Sequence, residues 1–491
     1  MRSSRNAVTI MAALLAGCSL APPMKTPEID VPAQFKEVAL AERGQWKTAR
    51  PAEAQPRGEW WKAFGDAVLD QLESDAASAN QNLRIAAARV TQARALVGVA
   101  RADRIPHVDA GFGPTRDKPS PASVGLPQDK NVAPTTAWRG LLTVSYEVDL
   151  FGRISDRIAA ARGDYEAAQA TFYSVQLALQ ADVAQTYFAL RETDEELALL
   201  RETVRLRADS ARLLQRRFDL GDISELDVAR SRTELATARN DASALERQRA
   251  QLEHALAVLL GKAPAAFTLA PAPLNDAMLS IPAGLPSTLL ERRPDIATAS
   301  RAMAAANARI GVAKAAFFPV LNLTAAGGFE SAELGDLFKW SARTWTLGPL
   351  LGTVLSMPLI DGGRNRANLE RSYAALEESV AGYRQQVLVA FAEVEDSLAS
   401  LRTLDDQSLA MRDATSSASR ALSIAQSRYR AGATGYLDVI DAQRSLLAIQ
   451  RLDTQIKGAR AGSTVALIRA LGGGWDAPQP PLAAAREELA R

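Results

Sequence analysis

Histidine and cysteine are nearly missing from this chain. Two histidines, His107 and His254, and one cysteine, Cys18, occur among its 491 residues. A histidine-based catalytic triad, a thiolate zinc site and an internal disulfide are therefore excluded as organising features. Aromatic residues are scarce at 6%, while alanine and arginine are abundant and 23% of residues are charged. That balance fits long packed helices better than the several compact cores its length would otherwise suggest. A membrane-spanning helix needs about 20 apolar residues in a row. The best stretch, Thr346 to Ile360, is short and broken by Gly348, Pro349, Gly352 and Pro358. The formal charge is only +1, and no basic stripe with interleaved aromatics marks a nucleic-acid surface. Paired carboxylates such as Glu195-Glu196 and Glu377-Glu378 lie in helical patterns, where adjacent residues face different ways. An enzyme is the least favoured class, and no cofactor or metal is expected.

What the chain does contain begins at its first residues. Arg2 and Arg5 precede an apolar stretch from Ala7 to Leu15, followed by Leu15-Ala16-Gly17-Cys18. A charged start, a short apolar run and small residues before a cut are the marks of an export signal, here over residues 1–17. Leu-Ala-Gly-Cys also resembles a bacterial lipobox, in which the cysteine is acylated and becomes the new N-terminus. Ser19 follows, where aspartate is the usual signal for retention at the inner membrane. Removing residues 1–17 leaves 55 basic against 56 acidic residues, close to neutrality.

The chain also repeats itself. Arg217, Gly221, Leu226, Asp227 and Val228 recur as Arg428, Gly432, Leu437, Asp438 and Val439, each 211 residues later. The same offset relates Gly152-Arg153 to Gly363-Arg364 and Leu260-Gly261 to Leu471-Gly472. Upstream it becomes 213, pairing Gly98 and Pro106 with Gly311 and Pro319. A unit this long predicts a duplicated half rather than a repeat array.

Within each half, apolar residues recur at steps of three and four over an unusual distance. Phe172, Val175, Leu179, Val183, Tyr187 and Leu190 begin one such seam in the proline-free run from Arg153 to Leu220. Tyr373, Leu376, Val380, Tyr383, Val387 and Phe391 repeat it from Arg364 to Arg430. Helices of that extent reach about 100 Å at 1.5 Å per residue. Gly221, and with it Asp222 and Ser224, predicts a turn into a returning helix over about 222–260. Gly432 and Thr434 predict the matching turn into a helix over about 435–471. Helices over about 66–104 and 288–317 precede the strands.

After Pro106 and Pro319 the period changes to two. Leu142, Val144, Tyr146 and Val148 alternate with Thr143, Ser145, Glu147 and Asp149; Leu321, Leu323 and Ala325 alternate with Asn322, Thr324 and Ala326. Trp345, Leu347, Leu351, Leu355 and Met357 form the apolar series of a fourth strand. Strands of this kind suit a transmembrane β-barrel, with loops expected over Pro114–Thr136 and Ser331–Thr344. Four strands cannot close a barrel alone, and an open edge in lipid leaves backbone groups unpaired. Two chains would supply eight strands, whose interior side chains fill; three would supply twelve and leave a passage.

These residues resemble the TolC-like outer-membrane efflux proteins, in particular the lipoprotein branch that serves resistance-nodulation-division pumps. The resemblance runs from Trp60-Trp61 to Gly474-Trp475. It is carried by Leu289-Leu290-Glu291-Arg292-Arg293-Pro294-Asp295-Ile296, the glycine turns, Tyr436-Leu437 with Asp441-Ala442-Gln443-Arg444, and Leu471-Gly472-Gly473-Gly474-Trp475. It implies a mainly α fold with a β-barrel part: a homotrimer in which each chain gives four strands to a shared 12-stranded barrel, continuous with a long α-helical periplasmic barrel. The corresponding divisions are residues 18–65 as an N-terminal periplasmic segment, 66–261 and 288–474 as the two repeats, 262–287 as an equatorial linker and 475–491 as a tail.

The resemblance further implies a passive exit duct in the outer membrane, fed by an inner-membrane pump through a periplasmic adaptor. Carried over by motif, Leu437, Asp441 and Arg444 would close the periplasmic mouth, with Asp441 pairing across helices to Arg230 or Arg444. Gly221, Asp222, Ser224, Gly432 and Thr434 would form the adaptor-facing tips, and Cys18 would hold the lipid. A passive porin-like channel would explain the strands but not the helices. A structural coiled-coil envelope lipoprotein would explain the helices but not the strands. The cargo is not legible in the composition.

Overall fold

The computed structural model describes residues 19–25, 27–28, 35–37, 58–127, 129–275, 292–348 and 355–473. Cys18, the export signal, Leu289 to Glu291, Gly474, Trp475 and much of the expected linker lie outside the described residues. In chain order the elements are α1 (Ala67–Ala79), α2 (Gln81–Ala102), β1 (His107–Asp117), β2 (Thr135–Val148), α3 (Arg153–Asp219), α4 (Glu225–Leu259), α5 (Pro294–Ala315), β3 (Val320–Ser331), β4 (Arg343–Leu347), β5 (Leu355–Ser356), α6 (Arg364–Arg430) and α7 (Tyr436–Ala470). Both α3 and α6 have 67 residues, and both α4 and α7 have 35. The described residues fall into two units, one of those within 1–28, 89–169 and 298–383, the other of those within 29–88, 170–297 and 384–491.

The first unit carries the sheet. Its order is β1-β2-β3-β4, antiparallel throughout, with β5 also paired to β3. The register keeps the sequence alternation in phase across all strands. Val108 faces Val144, which faces Ala325, which faces Leu347; Ala110, Leu142, Gly327 and Trp345 form the next rung on that side. On the opposite side Asp109, Thr143, Ala326 and Thr346 align, and Arg139 pairs with Glu330 at 3.2 Å. The apolar side is bare, with Phe112 65% and Trp345 79% exposed. A water-facing sheet would not leave such side chains uncovered; a lipid-facing one does. No helix among the described residues is long and apolar enough to cross a membrane.

The expected loops are shorter than the sequence suggested. β1 runs through Pro114 to Asp117, and β2 begins at Thr135, so the loop is confined to 118–134. Pro114 falls within the last four residues of β1, opposite Trp138. The fourth strand is described as two short pieces, β4 and β5, with Leu351 among the residues outside the description.

At the junction between strand and helix, Asp149 accepts the Ile154 and Ser155 amides at 3.0 and 2.8 Å, capping α3. Glu147 accepts Arg153 Nε at 2.8 Å, and Phe151 stacks on Phe318 at 4.7 Å. Deeper in this unit α3 and α5 approach closely enough that a Cβ on Gly163 would lie 2.9 Å from that of Ala305.

In the second unit the expected single helix over 66–104 is interrupted. Asn80 leaves the helical conformation, donates to the Leu259 carbonyl at 2.8 Å and accepts the Leu83 amide at 3.0 Å. Its short amide thus competes with the helix ladder while filling the carbonyl end of α4. Asp66 caps α1 through Val68 and Leu69 and accepts the Tyr187 hydroxyl at 2.6 Å. Trp60, Trp61 and Phe64 are buried beside it, with Phe64 4.8 Å from Phe188. Arg293 is buried too. It donates to Asp295, to Glu393 at 2.6 Å and to the Ala470 carbonyl at 3.0 Å, tying α6 to the end of α7.

Candidate functional site

The residues expected at the tips and the gate all fall in the second unit. Gly221 has φ +78°, and the Asp222 amide donates back to the Arg217 carbonyl at 2.9 Å. Gly432, at φ +72°, is matched by an Ala433 amide donating to the Arg428 carbonyl at 2.9 Å. Both are the left-handed helix ends that glycine makes without a Cβ penalty. Gly221, Asp222, Ser224 and Gly432 are exposed. Nothing lies within 4 Å of a Cβ built on either glycine, so their need is conformational and not steric. Ser224 occupies the N-cap position of α4 but makes no backbone cap; its hydroxyl donates to Asp227 at 3.3 Å. Thr434 is partly covered, and its hydroxyl has no partner among the described residues.

The two turns are joined. Arg217 donates to Asp222 at 2.7 Å on its own turn and to the Tyr429 hydroxyl at 3.0 Å on the other, and Tyr429 lies 5.5 Å from Tyr436. Arg217 is held above its ordinary pKa first by the Asp222 hydrogen bond.

Charged side chains meet on the helices next to these turns. Arg444 reaches Glu234, its Nε donating to Oε1 at 3.0 Å and Nη2 closing a second contact to the same oxygen. Asp441 lies 3.6 Å from Arg444 along α7, and Arg230 lies 3.9 Å from Asp227 along α4. Within this chain Asp441 thus contacts Arg444, one of its two expected partners, along a single helix, and Arg230 contacts Asp227. The cross-helix partner of Arg444 is Glu234, because the side chain of Asp441 emerges from the same helix as the arginine, one turn away. Leu437 is 41% exposed.

Glu234 is the hub that the sequence reading missed. It also accepts Arg207 Nη2 at 3.0 Å, while Arg207 Nη1 donates to the Glu234 carbonyl at 2.9 Å. One buried carboxylate thereby joins α3, α4 and α7. Its positions 211 residues on are Ser445 for Glu234 and Ala418 for Arg207, so the hub has no counterpart in the second half. That inequality between halves was the available signal.

Further along the same helices, Leu197, Leu200 and Leu245 form a buried cluster with Ala242 and Leu447 against it. Beyond it Arg451 donates to Glu196 at 2.5 Å. Glu192 lies over Gly458, where an added Cβ would fall 2.0 Å from Oε2. Burial, and then the charge of Glu196, push the Glu192 carboxyl up to about 7.

The profile of the outer membrane efflux protein family matches residues 72–262 and 285–473. The chain belongs to this family. TtgF of Pseudomonas putida, a toluene efflux pump outer membrane protein, is 35% identical over 95% of this chain and 96% of its own length. CusC of Escherichia coli, a cation efflux system protein, is 34% identical over 95% of this chain and 97% of its own. The solved CmeC outer membrane channel of Campylobacter jejuni superposes with a TM-score of 0.85 at 26% identity, covering 96% of this chain and 98% of that one. This family member is an outer membrane exit duct of an efflux pump.

Proposed function

We propose that three copies of this duct share one barrel of twelve strands, continuous with a tunnel of helices in the periplasm, and that each chain arose by internal duplication. The carrying observation is the in-phase register of β1 to β4, which leaves one whole side apolar and exposed and, among the described residues, both outer edges unpaired within the chain. An open edge in lipid is costly, so identical chains must supply the missing pairs. Twelve strands leave a lumen where eight would be filled by their own side chains. The equal lengths of α3 and α6, and of α4 and α7, support the duplication.

In this reading the turns at Gly221–Ser224 and Gly432–Thr434 meet a periplasmic adaptor, which links the duct to an inner-membrane pump of the resistance-nodulation-division class. Conduction is passive, and the pump supplies the energy. The gate lies next to the turns and comprises Leu437, Asp441, Arg444 and Arg230, with Arg444 held by Glu234. Acylation of Cys18 anchors the mature chain to the outer membrane. The relatives above carry names for cargoes as unlike as toluene and cations, so the cargo belongs to the pump. Deleting the gene and restoring it with its partners tests this. Export should return with the intact chain and fail with Gly221→Trp plus Gly432→Trp, which should also lose adaptor capture. Normal export by that variant would refute the docking role of the turns.

A further inference from the structure

The first described residues of the chain are held within the first unit by a small, specific set of contacts. Ser19 Oγ donates to Asp156 Oδ1 at 2.6 Å, and the Ala21 amide donates to Ser19 Oγ at 3.2 Å. Asn307 Nδ2 donates to the Pro22 carbonyl at 2.8 Å. Asp156 is 3% exposed, in the first turn of α3, and its Oδ2 has no hydrogen bond among the described residues. Burial raises its pKa, opposed by the Ser19 hydroxyl and the nearby Leu20 and Ala21 amides. Gly311 makes the room: a Cβ there would lie 1.9 Å from Asp156 Oδ2 and 2.9 Å from the Ala21 nitrogen.

The duplicated sequence offers an internal control. The residues equivalent to Asp156, Gly311 and Asn307 in the other half are Ala367, Gly98 and Arg94. A Cβ on Gly98 would meet nothing within 4 Å. The carboxylate and the amide that grip residues 19–22 exist in one half only. A chain has one N-terminus, so one of two otherwise similar places needs such a grip. The place chosen is the junction where β2 ends at Val148 and Asp149 starts α3. Cys18 immediately precedes the gripped serine, so a grip on Ser19 is a grip on the root of the acyl chains.

We propose that Asp156, Gly311 and Asn307 form a seat for the chain's own residues 19–22, which holds the acylated N-terminus at the level where the strands leave the membrane. The lipid part of this proposal rests on the acylation of Cys18; the seat itself does not. A free acylated tail could enter the bilayer anywhere within its reach. A seated one enters beside the barrel wall, so the lipid and the strands share one depth.

The test uses the full chain in the outer membrane of a Gram-negative host. Cys18 is the sole native cysteine, so Pro22→Cys with Asn307→Cys gives one new thiol pair across the seat, giving up the Asn307 donor and leaving Asp156 and Gly311 to hold residues 19–22. A short thiol crosslinker should join residues 22 and 307, read by mass spectrometry of the linked peptides. Adding Gly311→Ala should reduce that product about tenfold, the loss expected when one or two hydrogen bonds that hold a segment are removed. Asp156→Ala should act alike and serves if Gly311→Ala does not assemble. Metabolic labelling with an alkyne fatty acid should persist in every variant except Cys18→Ala. No crosslink in the parent pair, or an undiminished one in both seat variants, overturns the seat even where lipid labelling is normal. A crosslinked parent without lipid overturns the acyl part alone.

Discussion

Glu234→Ala is the perturbation whose consequence the structure predicts most sharply. Its carboxylate side chain is 9% exposed and serves two arginines of unlike environment: Arg207, 10% exposed, and Arg444, 55% exposed. The exposed contact is worth about 0–1 kcal/mol, as surface ion pairs are. The buried one differs, because its loss strands a guanidinium away from water, which costs about 3–5 kcal/mol. Arg207 keeps its bond to the Glu234 carbonyl, so the lower end applies. At about 2.1 cal/mol/K of unfolding entropy per residue, a chain of this size loses roughly 1 °C of melting temperature per kcal/mol. Thermal unfolding of the detergent-solubilised protein should therefore fall by about 3 °C for Glu234→Ala and by under about 1 °C for Arg444→Ala. Arg207→Ala with Glu234→Ala together should recover part of the loss, since no charge remains stranded. In planar bilayers Arg444→Ala and Glu234→Ala should both raise single-channel conductance if this hub holds the mouth narrow. Equal melting shifts for Glu234→Ala and Arg444→Ala, or a double variant as unstable as the sum of its parts, would refute the hub.

The remaining expectations concern buried acids, glycines and the sheet. Glu73 is 2% exposed with both carboxylate oxygens unpartnered among the described residues, and burial pushes it up to about 9; Glu192 is pushed up to about 7. Each has a folded pKa above its unfolded one, so folding is favoured at low pH and the penalty grows as pH rises from about 4.5 to those values. Glu192→Gln should accordingly raise the melting temperature at pH 8 and leave it unchanged at pH 4, and a shift of equal size at both would contradict the assignment. Gly261 has φ +65°, and a Cβ there would meet the Ala79 carbonyl oxygen at 2.4 Å. Gly261→Ala should thus destabilise more than Gly221→Ala, whose cost is the left-handed backbone alone, about 1–2 kcal/mol. On the sheet, Leu142→Arg should impair membrane insertion by about 2–4 kcal/mol. The adjacent Thr143→Arg, on the polar side, should insert normally and change ion selectivity.

Much of the fold was legible because its elements follow two clean periods. Leu179, Val183 and Tyr187 are buried as a helical seam requires, and Val144 and Tyr146 share one side of the sheet as strict alternation requires. The break at Asn80 was not legible, since asparagine is tolerated in a helix and its reason for leaving is a distant carbonyl at Leu259. Pro114 was read as loop because proline usually ends a ladder, yet β1 continues through it to Asp117. The glycine turns were placed from local chemistry, which needs no tertiary knowledge. The ionic hub was not, because Arg444 meets Glu234 across 210 residues of chain, and sequence spacing reports only neighbours on the same helix. Asp441 looked the better partner for that reason.

The most direct measurement is the mass and the conductance of the same preparation. Full-length protein extracted from outer membranes in detergent should scatter light as three chains, and on dilution into a planar bilayer should open a stable aqueous pore. A monomer that stays soluble without detergent, and passes no current, would contradict the account at its root.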